Sequence, residues 1–291
     1  MKVVLALVLG GLVVPIGILR PAALLGAAPA VAWMRYAERR DAGRPEPPGA
    51  LRRMAVAGAL AVVPVAVVEV IVDQAYPSET TVFGAFFAGF VVAGLVEESA
   101  KALCLRIVAW NRPEFDERLD AMVYAAWAGL GFALVENVGY LAAAGTKGGY
   151  IGMFVMRALL SVPSHAATAA IMGYFAARRR FDGAGPGIPG GLALAVALHG
   201  TFDFAAFRAA ALSDDGSGTA GLFVLVVLVV VAIEIVLVRR LSAAALAADD
   251  ADPRLARPPA AGPVHLAGLP ARGGWPPPAV PPPSGGSWPG R

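Results

Sequence analysis

The chain has 291 residues, is 57% hydrophobic and only 15% charged, and has a mean hydropathy of +0.65. These values exclude an ordinary soluble domain and describe a polytopic membrane protein. The formal net charge of +3 gives no basis for a nucleic-acid partner, and the single cysteine, Cys104, excludes an intrachain disulfide framework and a cysteine metal site.

In chain order, Lys2, an apolar stretch and Ala28-Pro29-Ala30 imitate a secretory signal with its cleavage site. The apolar part is too long for that, and Arg20-Pro21 interrupts it, so two membrane helices over 3–19 and 22–37 are expected instead. Hydropathy marks six more, at 54–72, 82–108, 120–143, 151–177, 190–211 and 219–238. The expected fold class is all-α, a polytopic bundle of about eight transmembrane helices. Pro64 should kink the third span without ending it.

The basic residues choose an orientation. Arg35, Arg39, Arg40, Arg44, Arg52 and Arg53 lie between spans two and three, and Arg112 and Arg118 between four and five. Arg178, Arg179 and Arg180 follow span six, and Arg239 and Arg240 follow span eight. These are alternate loops, so the excess of positive charge on the cytoplasmic side puts both termini in the cytoplasm. From about 243 the composition changes: residues 243–291 hold twelve of the chain's 24 prolines and are expected to form a disordered tail, dispensable for catalysis. Residues 1–242 are then the membrane domain.

Charge at bilayer depth is costly, so ionisable residues inside spans are candidate functional groups. The fourth span carries Glu97-Glu98-Ser99-Ala100-Lys101. Glu97 and Lys101 are four apart and share a helix face, whereas Glu98 lies about 100° round the helix, so the lysine can hold either carboxylate. The fifth span carries Phe132 and, one turn on, Glu136-Asn137; the sixth Arg157 and Ser161-Val162-Pro163-Ser164-His165; the seventh His199 and, four residues on, Asp203. The proline should distort the helix just before His165. Glu69, Asp73 and Glu234 have no similar companions nearby in sequence; Asp73 and Glu234 read as residues reaching the interface, and Arg106 as one that snorkels. Arg157 is placed to counter a carboxylate.

Glu97-Glu98-x-x-Lys101, Phe132-x-x-x-Glu136, His165 and His199-x-x-x-Asp203, in this order on four consecutive helices, resemble the PrsW family of bacterial intramembrane proteases, within the wider group of CAAX prenyl endopeptidases and Abi proteins. Arg39-Arg40-Asp41 and Pro45-Glu46-Pro47 resemble it too. The likeness covers about 22–211. It implies a bacterial plasma-membrane endopeptidase that cleaves a membrane-bound protein, such as an anti-sigma factor at its first site. It carries over Glu97, Glu98, Lys101, Glu136, His165, His199 and Asp203 as catalytic residues. Peptide hydrolysis needs an activated water, a proton donor and oxyanion donors. Glu97 or Glu98 serves as base, and His199 with Asp203 positions or stabilises the oxyanion. His165, His199 and Glu136 form a candidate zinc set, although no H-E-x-x-H is present. The competing readings are a proton- or cation-coupled transporter, in which the same carboxylates relay protons, and a non-catalytic Abi-type scaffold.

Overall fold

The computed structural model describes residues 21–255 apart from 41–43, 76–78, 144–146, 214–215 and 217. The expected first span, the apparent signal-peptide region before residue 21, and the proline-rich tail beyond 255 lie outside the described residues. All regular elements among those described are helical. In chain order they are α1 (Pro21–Arg40), α2 (Pro48–Ala75), α3 (Val82–Ala109), α4 (Arg118–Ala143), α5, which runs from Lys147–Met156 through a π-helical turn at Arg157–Ser161 into Val162–Phe181, α6 (Gly187–Ala211) and α7 (Thr219–Asp250).

Six of these, α2 to α7, are long and apolar enough to cross a membrane. The count of eight is therefore not reached among the described residues. α1 covers the expected second span and is helical, but its sequence, PAALLGAAPAVAWMRYAERR, ends in five residues of which three are charged. Pro64 sits inside α2, which continues through it to Ala75.

α4 is the most buried of the six spans. Its inward positions are small, with Ala121, Ala125, Ala128 and Ala133 all fully buried, so neighbouring backbones approach closely. A methyl group added at Gly131 would lie 2.0 Å from the Ala55 carbonyl oxygen on α2, and one at Gly129 would lie 2.3 Å from the His165 carbonyl oxygen on α5. Glycine at 129 thus sets how near His165 stands to α4. Cys104 is buried in the main apolar cluster with Leu105, Leu130 and Met54, as a packing residue.

Two helices that carry candidate residues are not plain α-helices. α3 is π-helical over Phe87–Glu97 and again over Leu105–Ala109. α5 is π-helical immediately before Val162-Pro163, where the proline has no N–H to continue the α ladder. The distortion expected ahead of His165 takes this form.

The basic segments gather at one end of the bundle. Arg44 pairs with Glu117 at 2.5 Å and Asp250 at 2.9 Å, and Arg53 with Glu114 at 2.9 Å. Arg118 pairs with Asp182 at 2.6 Å, Asp249 at 3.0 Å and Asp252 at 3.1 Å. Arg180 donates to the carbonyls of Trp110 and Phe115. Asp249 also accepts from the backbone N–H groups of Arg118 and Leu119, so it caps the start of α4 from the far end of the chain. α7 runs on through residues 243–250, where Asp249 serves as cap and counter-ion of Arg118.

Candidate active site

Each polar motif arrives on its own helix, and the bundle brings them to one place. Glu97 ends the π-helical stretch of α3, and Glu98 and Lys101 follow in the next α-helical turn. Lys101 is fully buried. Its ammonium donates to Glu98 Oε1 at 2.6 Å and to His165 Nδ1 at 2.8 Å, and stands 3.5 Å from Glu97 Oε2. The lysine thus takes Glu98 as its direct partner. It also lies over the Phe132 ring, 4.8 Å from the centroid, which gives that residue a role beyond plain packing.

Glu98 Oε1 is the most engaged oxygen of the group. Besides Lys101 it lies 2.7 Å from His199 Nδ1 and 3.2 Å from the Thr168 hydroxyl. His199 Nε2 is 3.2 Å from Asp203 Oδ2, as their four-residue spacing on α6 allows. His165 Nε2 is 2.8 Å from Glu136 Oε2, which also meets Arg157 Nη2 at 2.9 Å. Arg157 donates in turn to Asn137 Oδ1 at 2.9 Å and stacks 4.1 Å from the Tyr140 ring centroid. The expectation that Arg157 counters a carboxylate is met by Glu136. The two histidine rings are 5.0 Å apart, edge to face.

Glu97 differs from its neighbour in lining a cavity. Its Oε2 is buried and has no hydrogen-bond partner. Three nitrogens surround it just beyond bonding distance: Lys101 Nζ at 3.5 Å, His165 Nδ1 at 3.7 Å and His199 Nε2 at 3.9 Å. An orphaned buried acceptor in such a ring marks room for a reacting water or an ion.

A metal set is present in the donor chemistry. One ligand atom each from Glu97, His165 and His199 falls within 4.8 Å of the others. Each histidine has a carboxylate at its other ring nitrogen, Glu136 behind His165 and Glu98 behind His199, which is how metal-binding histidines are oriented. The residues fit a zinc-type ion, with two competitors: the His165 Nδ1 lone pair is taken by Lys101, and the His199 Nε2 that faces Glu97 is also 3.2 Å from Asp203, so each of these contacts and a metal exclude each other. The expected set of His165, His199 and Glu136 changes in its third member. Glu136 is held by Arg157 on the far side of His165, and Glu97 stands where it was expected.

Two cavities meet at this cluster. One, of about 100 Å³, lies between α2, α3 and α4 and reaches Glu97. The other, of about 220 Å³, lies between α5, α6 and α7 and reaches His165 and His199. Glu136, Tyr140, Asp203 and Phe207 line both. The catalytic candidates therefore form the wall between two spaces.

Two residues read as unremarkable prove otherwise. Glu234 does not reach an interface; it is 1% exposed, accepts from Ser164 Oγ at 2.9 Å, and so sits behind the residue next to His165. Glu69 lines the first cavity with Glu97. Their companions lie on other helices, which is why sequence neighbours did not reveal them. Thr168 was missed as well; a hydroxyl three residues after His165 on the same span was the available signal. The side chain of Asp73 lies outside the described residues, and Arg106 is exposed, stacked 5.6 Å from the Trp110 ring.

Comparison with known proteins agrees with the geometry. Residues 46–233 match the model of the PrsW family intramembrane metalloproteases. The match runs into α7, further than the expected 22–211, and begins after α1. Protease PrsW of Bacillus subtilis is 32% identical over 182 residues, covering 62% of this chain and 79% of the relative. Protease PrsW of Geobacillus kaustophilus is 34% identical over 156 residues, 54% of this chain and 65% of the relative. That of Clostridioides difficile is 37% identical over 122 residues, 40% and 51% respectively. No solved structure matches. The chain belongs to the PrsW family of intramembrane metalloproteases.

Proposed function

We propose that this intramembrane protease cuts its substrate at the wall between the two cavities, with Glu97 as the base. The observation that carries this is the unpartnered Glu97 Oε2, lining a cavity and ringed by three nitrogens, while Glu98 Oε1 is tied to Lys101, His199 and Thr168. A water beside Glu97 Oε2 gives its proton to that oxygen as it attacks the scissile carbonyl carbon. Glu97 then returns the proton to the departing amide nitrogen, so that the C–N bond breaks with no net change in charge. Lys101 balances the carboxylates and, with His199 held by Asp203, faces the developing oxyanion. Glu136 and Arg157 fix the ring of His165.

Glu97, His165 and His199 would hold a metal. When bound, it would supply Lewis-acid polarisation and a more acidic water. In that case Lys101 gives up His165, and Glu98, whose Oε2 also lacks a partner, is the nearest remaining base. The measurement that separates the two is metal content with activity. If Glu97 works alone, chelation leaves cleavage unchanged. Stoichiometric zinc, lost together with activity in a chelator and in His165→Ala and His199→Ala, would show the metal form.

The substrate fits as a membrane-bound protein, and an anti-sigma factor is the candidate that the family resemblance suggests, as is the kinship with CAAX prenyl endopeptidases and Abi proteins. The clustering of the arginine-rich links at one end supports an orientation in the plasma membrane with that end, and both termini, in the cytoplasm. Reporter fusions after Arg53, Arg118, Arg180 and Arg240 should all read cytoplasmic. Co-expression of candidate anti-sigma factors with wild type and Glu97→Gln tests the substrate: a fragment formed only by wild type supports it, and none formed from any candidate rejects it.

A further inference from the structure

The cavity between α2, α3 and α4 is lined by five carboxylate residues, Glu69, Glu79, Glu97, Glu136 and Asp203, and by no lysine or arginine among the described residues. Such a cluster alone would mean little. Two of its members, however, are more than nine-tenths buried and lack partners: Glu97 Oε2 makes no hydrogen bond, and Glu69 has neither a hydrogen bond nor an ion pair among the described residues. Burying a carboxylate without a partner is costly, and the cost is recovered when a cation arrives.

The cavity also has a direction. Glu69 lies six residues from the end of α2, about 9 Å along the axis, and Glu79 lies in the link to α3. The acidic lining therefore runs from the end opposite the arginine clusters down to Glu97. The second cavity is different in kind. Met153, Met156, Leu160, Phe202, Val224 and Val227 line it, with Arg157 as its cation.

We propose that the acidic cavity is a specificity site for a lysine or arginine side chain flanking the scissile bond, with an apolar side chain on the other flank entering the larger cavity. This rests on cleavage at the wall between the two. The cationic group would sit against Glu69, leaving Glu97 Oε2 to the reacting water, and would form the charge-assisted bonds that the described residues leave unmade there. Arg157 in the other cavity would disfavour the reverse orientation of the peptide.

The test uses the full chain in lipid nanodiscs and two fluorescent apolar peptides that differ at one position, lysine in one and norleucine in the other. Fluorescence anisotropy should show the lysine peptide binding about tenfold more tightly, the value of one charge-assisted hydrogen bond. Glu69→Gln should bring the two within about twofold by weakening only the lysine peptide, and Glu69→Asp should restore the preference. Equal binding of both peptides by wild type overturns the proposal whether or not the variants fold. Cleavage of a mixed peptide library, read by mass spectrometry, separates this site from the catalytic reading. Cleavage without enrichment of lysine or arginine beside the cut sites sinks the specificity site and leaves the protease. A lysine preference in binding with no cleavage of any peptide leaves the site and sinks the assignment of catalysis to that wall.

Discussion

Two buried carboxylates at different depths of the bundle do opposite things. Asp249, at the arginine-rich end, is 1% exposed and uses both oxygens, accepting from the backbone N–H groups of Arg118 and Leu119 and from the Arg118 guanidinium. Glu97, at the centre, is 4% exposed, yet one of its oxygens has no donor although three nitrogens surround it. The first arrangement is what a fold selects when charge must be buried for architecture: every lone pair satisfied, and two distant chain segments tied together. The second leaves one oxygen unpaired, as the proposed base requires. Charge inside the protein does not by itself mark the site. An unpartnered oxygen that also lines a cavity is the better marker.

The sharpest way to break this contrast is to neutralise each carboxylate. Glu97→Gln should lower cleavage of a membrane reporter by about a thousandfold, within the range of lost general-base catalysis, with normal insertion. Asp249→Asn should leave the rate per folded molecule within about twofold. If the Asp249 variant lost activity while folded, and Glu97→Gln did not, the assignment of roles would be reversed.

Removing the clamp altogether comes next. A chain ending at Leu255 should melt at the same temperature as the full chain, whereas one ending at Arg240 loses Asp249, Asp250 and Asp252. The shorter chain should lose about 3 kcal/mol, the low end for breaking a buried ion pair, since Arg118 keeps Asp182. Thermal melting in detergent reads this. Equal melting of the two would show that the last turns of α7 contribute nothing.

Closer to the centre, Gly129→Ala tests how finely His165 is set. Its new methyl group would meet the His165 carbonyl at 2.3 Å, so α4 and α5 must part. The expected cost is about 2 kcal/mol of stability, as for overpacking elsewhere. The expected rate loss is about tenfold, from a misplaced histidine. The smallest change, Thr168→Val, removes one donor to Glu98 and should cost about 1 kcal/mol with only a few-fold loss of rate. A large rate loss there would make Glu98, not Glu97, the more sensitive carboxylate.

Much of this protein was legible in the sequence because the bilayer imposes a simple code. Apolar runs of span length gave helices that match α2 to α7, and the polar residues inside them stood out against hydrocarbon. Glu97, Glu98, Lys101, Glu136, His165, His199 and Asp203 do come together, and the arginine-rich links do gather at one end.

What only the tertiary structure decided are the pairings across helices. Lys101 takes Glu98 directly and holds Glu97 at 3.5 Å, a choice that the spacing alone left open. The π-helical stretch ending at Glu97 shifts the phase of everything after it, and a 3.6-residue count cannot see that shift. Glu97 is the carboxylate grouped with His165 and His199 in the candidate metal set, while Glu136 pairs with Arg157. Glu69 and Glu234 join the site from helices whose sequences show no motif. Periodicity fixes which residues share a face of one helix. Which faces meet is set by close packing at small residues such as Gly129 and Gly131.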